Sequence, residues 1–169
     1  MKKMAFLLLL VLSLFFTGCT GDNKEQPPKT QSENPVQPAE KIKVTLYFAN
    51  ETADALVPQE REIDKPKDLV ATLINELKKP DKLAPVLPEG TELLSHKSEG
   101  DILTLNFNQA FANLQGSTGE IITVNSIVNT MTELPEYKSV LLQVEGEPLA
   151  TGHAIYDQPL PRNESVIQK

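Results

Sequence analysis

An α+β domain of two layers, with two helices packed on a small mixed β-sheet and an extra β-hairpin or ribbon, is predicted by three observations. Ile42, Val44, Leu46 and Phe48 alternate with Lys43, Thr45 and Tyr47, the period of a half-buried strand. Leu69, Val70, Leu73, Ile74 and Leu77 recur at helical spacing, with Lys67, Asp68, Asn75, Glu76 and Lys78 opposite. That is a helix lying on a sheet. The run from Gly100 to Glu145 reads strand, helix, strand, the centre of a layered α/β unit.

The chain opens on a different grammar. Met1-Lys2-Lys3 is a short positive region, and Met4 to Phe16 is apolar except for Ser13. These 13 residues fall short of the roughly 20 that span a bilayer as a helix. Phe16-Thr17-Gly18-Cys19 follows and resembles the lipobox of bacterial lipoproteins, with Phe16 where an aliphatic residue is usual. The expectation is a signal peptide over 1–18, cleavage before Cys19, and a diacylglyceryl group on its thiol. The alternative is an ordinary secretory signal with a chance cysteine. Each buried methylene contributes about 0.8 kcal/mol, so two or three acyl chains anchor stably. Residues 19–41 carry Pro27, Pro28, Pro35 and Pro38 among Asn, Gln, Ser, Lys and Glu, with Val36 the one sizeable apolar residue. Such a composition does not bury enough surface to offset ordering, so a disordered tether is expected. About 20 residues of that kind span on the order of 25 Å.

The domain is expected over 42–163. Lys41 to Ala49 reads as its first strand. Leu56 to Ile63 reads as an edge strand, demoted by Pro58 and its charged run. Asp64, with Pro66 behind it, is the expected cap of the first helix, which Pro80 ends. Pro85, Pro88 and Gly90 make Asp81 to Gly90 irregular. Thr91–Ser98 and Asp101–Phe107 are strands about a turn at Glu99-Gly100. Ser117 and Glu120 have the spacing of a capping box before the second helix. Its stripe is Ile121, Val124, Val128 and Met131, and Pro135 closes it. The β-branched content of Ile121 to Val128 favours a strand, but the box and the 3.6 spacing favour a helix. Ser139 to Glu145 is the next strand, with Val140, Leu142 and Val144 inward. A ribbon around Thr151 to Tyr156 and a frayed end over 164–169 complete the reading.

Formal net charge is −7, and without Lys2 and Lys3 the chain has 14 basic against 23 acidic residues, a net −9. That disfavours nucleic acid, whose phosphates need basic patches, and electrostatic docking on anionic lipid. Cys19 is the one cysteine, so the domain stands on its hydrophobic core without a disulfide. His96 and His153 are isolated, whereas metal sites cluster their ligands. No nucleophile elbow occurs, and Glu145 and Glu147 about Gly146 read as solvated turn residues rather than an acid–base pair. Asn106 and Asn108 read as partners of backbone groups in a turn rather than sugar ligands. No catalytic residue, cofactor or metal is expected.

The second helix carries almost no charge before Glu133. Charge is depleted at interface cores. Thr123, Ser126, Asn129 and Thr130 are therefore the candidate interaction face. Its alternatives are a plain polar surface or burial under the C-terminal ribbon.

VTLYFAN, LVPQERE, LINELKKP, LPEGTELLS, LTLNFNQAF, IVNTMTELP, SVLLQVEGE and GHAIYDQPLPR occur in that order between Lys43 and Arg162. Their order and spacing resemble the GerMN domain of bacterial sporulation and germination proteins. Some relatives carry two copies; this chain has room for one. The resemblance implies a fold similar to ring-building domains, with two helices on a three-stranded sheet, and helical faces that pack between protomers. It implies a non-catalytic protein-interaction or assembly module in sporulation or germination, held by its lipid on the outer face of the cytoplasmic membrane. Its partners would be envelope proteins or further copies of itself. The competing reading is a peptidoglycan-binding accessory to wall-processing enzymes. Without Trp, Tyr47 and Tyr156 are the main candidates for aromatic platforms for glycan.

Overall fold

The structure is a computed structural model and describes residues 40–169. The readings on 1–39, including Cys19, the signal peptide and most of the tether, lie outside the described residues. The fold is α+β, with two helices, a two-stranded antiparallel sheet and a larger mixed sheet. The two helices, the mixed sheet and the separate antiparallel hairpin match the fold class expected from the sequence.

β1 (Lys41–Ala49) and β2 (Leu56–Asp64) form a nine-residue hairpin in unbroken register, from Lys41 opposite Asp64 to Ala49 opposite Leu56. The ladder begins at Lys41, one residue before the expected domain boundary. Val44, Leu46 and Phe48 are buried as their alternation predicts, and so are Tyr47 and Ala49 on the other face. This strand is covered on both sides at its C-terminal end, which the polar partners in its sequence conceal.

α1 (Leu69–Leu77) buries Val70, Leu73, Ile74 and Leu77. Its cap is Asp68, not Asp64: the Asp68 carboxylate accepts the N–H of Ala71 at 2.9 Å. Asp64 still belongs to the hairpin, where it pairs with Lys41 at 3.2 Å.

β3 (Leu93–Glu99), β4 (Ile102–Phe107) and β5 (Ser139–Val144) form the main part of the mixed sheet. β3 and β4 are antiparallel about the turn at Gly100, whose φ of 62° suits glycine. β4 and β5 are parallel, so α2 (Gly116–Met131) is the crossover between them. The short strands β6 (Glu147–Ala150) and β8 (Leu160–Pro161) share the other edge of β5, and β7 (Ile155–Tyr156) pairs with β6. Leu103, Leu105, Phe107, Val140 and Leu142 line the inner face, with the Phe111 ring 4.3 Å from that of Phe107.

α2 departs from its expected cap and stripe. It starts at Gly116 with no side-chain cap, and Ser117 lies inside its first turn. Glu120 is buried and accepts the hydroxyl of Tyr156 at 2.7 Å instead of reaching back to a cap. Ile121 turns outward, 47% exposed, while Ile122 and Ile127 are buried with Val124, Val128 and Met131. The helix is enclosed by hairpin, sheet and C-terminal segment, so most positions meet protein and a single stripe does not describe it.

The C-terminal residues are held rather than frayed. Ile167 bridges to Leu56, and the N–H of Gln168 donates to the Leu56 carbonyl at 2.8 Å. Val166 and Ile167 pack against the core.

Candidate functional site

The expected interaction face on α2 is internal. Thr123, Ser126, Asn129 and Thr130 are all buried, and each hydroxyl or amide is engaged within the domain. Ser126 donates to the Tyr47 carbonyl at 2.6 Å, and Thr130 accepts the Tyr47 N–H at 3.1 Å. Thr123 donates to the Val86 carbonyl at 2.6 Å. Asn129 donates to the Asn163 carbonyl at 2.9 Å and accepts its N–H at 2.8 Å. The shortage of charge on this helix reflects enclosure by its own chain, because a buried ion costs far more than a buried, paired hydroxyl or amide. These four residues are therefore not an accessible face.

Beside them the C-terminal segment closes over β1. The Arg162 guanidinium lies 5.0 Å over the Tyr47 ring, donates to the Tyr47 hydroxyl, and pairs with Glu133 at 2.8 Å and with Glu164. Tyr47 in turn donates to Glu133 at 2.6 Å. Burial first, and then the Glu133 carboxylate, push the Tyr47 hydroxyl above its ordinary pKa. Tyr47 is thus a neutral, inward hydrogen-bonding group and no platform for glycan. Tyr156 is also tied inward, and burial together with Glu120 raises its pKa.

A concavity lies at the other end of the hairpin. It measures about 630 Å³ and opens between the β1–β2 turn at Thr52 and Ala53, the segment from Pro85 to Glu89, and the start of α2 near Thr118 and Ile122. The Thr123–Val86 bond fixes the proline segment to the helix, so two walls are rigidly related. Its lining is mainly apolar, and among the described residues Glu89 is the one ionisable side chain in it. Sequence reasoning marked Asp81 to Gly90 only as irregular. Its two prolines were the available signal for a wall.

The remaining candidates have structural roles. Asn106 accepts the N–H of Gly146 at 2.8 Å, and Asn108 accepts the N–H of Glu92 and donates to the Gly90 carbonyl. Both satisfy turn backbone, as the sequence suggested. Glu145, at φ 51°, accepts the N–H of Gln109 at 3.1 Å and joins the β5–β6 turn to the 3-10 turn that follows β4. His96 meets Asp68 at 2.9 Å, linking β3 to the cap of α1. The backbone N–H of His153 donates to the hydroxyl of Thr151. Among the described residues no cluster of His, Cys, Asp or Glu could hold a metal ion. No described helix is long and apolar enough to cross a membrane.

The family model for sporulation and spore germination, Germane, matches residues 45–150, more than half of the chain. The chain belongs to the Germane family. This Germane domain is 35% identical over 115 residues to the spore germination protein GerM of Bacillus subtilis strain 168, which covers 62% of this chain and 31% of that protein. The tandem GerMN domains of the sporulation protein GerM from the same species match at TM-score 0.62 and 31% identity, over 83% of this chain and 51% of that one. A candidate lipoprotein of Clostridium perfringens matches at TM-score 0.52 and 27% identity, over 72% of this chain and 87% of that one. The resemblance read from the ordered stretches is thereby shown. The Germane chain spans about a third of the length of its curated relative.

Proposed function

We propose that this Germane chain is a lipid-anchored, extracytoplasmic interaction module acting in sporulation or spore germination, and that it binds envelope proteins or itself without catalysing a reaction. The observation that carries this reading is the family match over residues 45–150, set behind a segment that ends in Thr17-Gly18-Cys19. The candidate lipoprotein from Clostridium perfringens supports the anchor. The apolar groove beside Pro85 to Glu89 supports binding: one carboxylate in a roomy cleft gives no acid–base pair. Acidic net charge supports protein rather than nucleic acid as the partner.

The test is genetic and chemical together. The gene is deleted in its host and restored as wild type or as Cys19→Ala. Wild type is expected to take up labelled palmitate, fractionate with the membrane and restore spore formation or germination. Cys19→Ala is expected to lose the label and the membrane fraction. Undiminished labelling of Cys19→Ala overturns the anchor, and a deletion without a spore phenotype overturns the role. Stoichiometric co-sedimentation of the chain with purified peptidoglycan would move the reading to wall binding.

A further inference from the structure

The β1–β2 hairpin has two outer edges, and the chain closes them unequally. The register tells which backbone groups face outward. Glu40 accepts the N–H of Lys65, and Asn50 donates to Ala55, so even-numbered positions of the first strand bond across to the second. Antiparallel pairs alternate. Lys43, Thr45, Tyr47 and Ala49 therefore turn their N–H and C=O groups away from β2. The outward bonds of Tyr47 to Ser126 and Thr130, and of Ala49 to Ala84, obey the same parity.

On the β2 side, Leu56 accepts Gln168, Pro58 has no N–H to offer, and Glu60, Glu62 and Asp64 guard the rest. On the β1 side, α2 closes the edge at Tyr47 and then ends. Among the described residues nothing bonds to the outward groups of Lys43 and Thr45. A cavity of about 180 Å³ lies beside them, walled by Leu69 and Leu73 of α1 and by Thr130, Glu133 and Leu134 at the end of α2.

We propose that the Lys43–Thr45 edge of β1 takes an extended segment of another protein as an added strand, with an apolar side chain in this cavity and an acidic residue opposite Lys43. Unpaired strand groups are complementary to extended backbone, and a pocket at one alternate side-chain position supplies selectivity. Lys41 is held by Asp64 at 3.2 Å, while Lys43 has no ion pair among the described residues. Glu62 lies across the ladder from Lys43, on the far side from an added strand, and Glu133 is engaged by Arg162 and Tyr47. A second copy fits poorly, because antiparallel pairing about residue 43 sets lysine against lysine. This inference rests on the binding role proposed above and names a surface for it. Its test reads peptide binding by purified protein, so its failure leaves the cellular role standing.

A library of short linear peptides is panned against the full chain in detergent. Enriched peptides are expected to alternate apolar and polar residues and to carry an acid. Their affinity should fall by at least about tenfold in Thr45→Pro, the scale of one lost backbone bond, and Lys43→Glu should turn the preference from acidic to basic. Should Thr45→Pro fail to fold, N-methylation along a selected peptide replaces it: loss at alternate positions only supports strand addition. No enrichment, equal binding by Thr45→Pro, or indifference to N-methylation overturns the proposal. So does slow amide exchange at Lys43 and Thr45 in the peptide-free chain, which would show that the edge is already covered.

Discussion

Ser126 donates its hydroxyl to the carbonyl oxygen of Tyr47 at 2.6 Å. One helical turn on, Thr130 accepts the N–H of the same residue. Two side chains spaced i, i+4 thus do for one strand residue what a neighbouring strand would do. The hairpin is sealed against α2 at this point through polar bonds set in an apolar surround, where leaving a group unpaired is costly.

Replacing Thr130 by Val keeps the shape and removes the acceptor. The Tyr47 N–H is then buried without a partner, and unfolding free energy should fall by about 1–3 kcal/mol. Urea titration checks this. A loss within error would mean that water reaches Tyr47. Ser126→Arg should prevent folding, since that side chain has no exposure, whereas Ile121→Arg, on the outward side of the same helix, should change stability by about 0.5 kcal/mol or less.

Leu46, on the inner face of β1, is fully buried. Leu46→Ala should cost about 2–5 kcal/mol through lost burial and the cavity left behind. Chemical denaturation with an unchanged denaturant slope would assign the loss to the folded state.

Removing residues 163–169 should destabilise the domain by at least about 1–3 kcal/mol, because the Asn129 amide loses both Asn163 bonds and the core loses its contacts with Val166 and Ile167. A thermal melt of the shortened chain reads this. An unchanged midpoint would restore the frayed end that the polar sequence suggested.

Glu76 titrates usefully. Burial pushes its carboxyl up, but bonds from Lys79 at 2.6 Å and Arg61 at 2.8 Å outweigh burial and hold it below the usual range. A depressed folded pKa stabilises above the unfolded value, about 4.3, and that stability is lost as pH falls through the folded one. Urea midpoints should therefore drop on acidification below about pH 4.3. Glu76→Gln should start lower at neutral pH and show a shallower acid-side drop.

The sequence by itself determined both helices, the strands β1 to β5 and their order, while β6 and β8 emerge only through their pairing with β5. Strand alternation at Ile42 to Phe48 and helical spacing at Leu69 to Leu77 are local signals, because side-chain period follows backbone geometry directly. Asn106 and Asn108 bond turn backbone as their residue type suggests, but only the fold names the turns, at Gly146 and at Gly90 and Glu92. The family was legible because many short stretches keep one order.

Tertiary structure decided what surrounds each residue. Thr123, Ser126, Asn129 and Thr130 look like an exposed polar face until the hairpin and C-terminal segment are laid over them, from as far away as Tyr47 and Asn163. A hydroxyl has the same local pattern whether it meets water or a buried carbonyl, and no sequence period separates the two. The same limit applies to the helix caps. Asp64 and Asp68 are equally able caps, and only the length of the β2 ladder leaves the second one free. The open edge at Lys43 and Thr45 depends on where α2 ends relative to β1, a distance set by packing between segments some 85 residues apart.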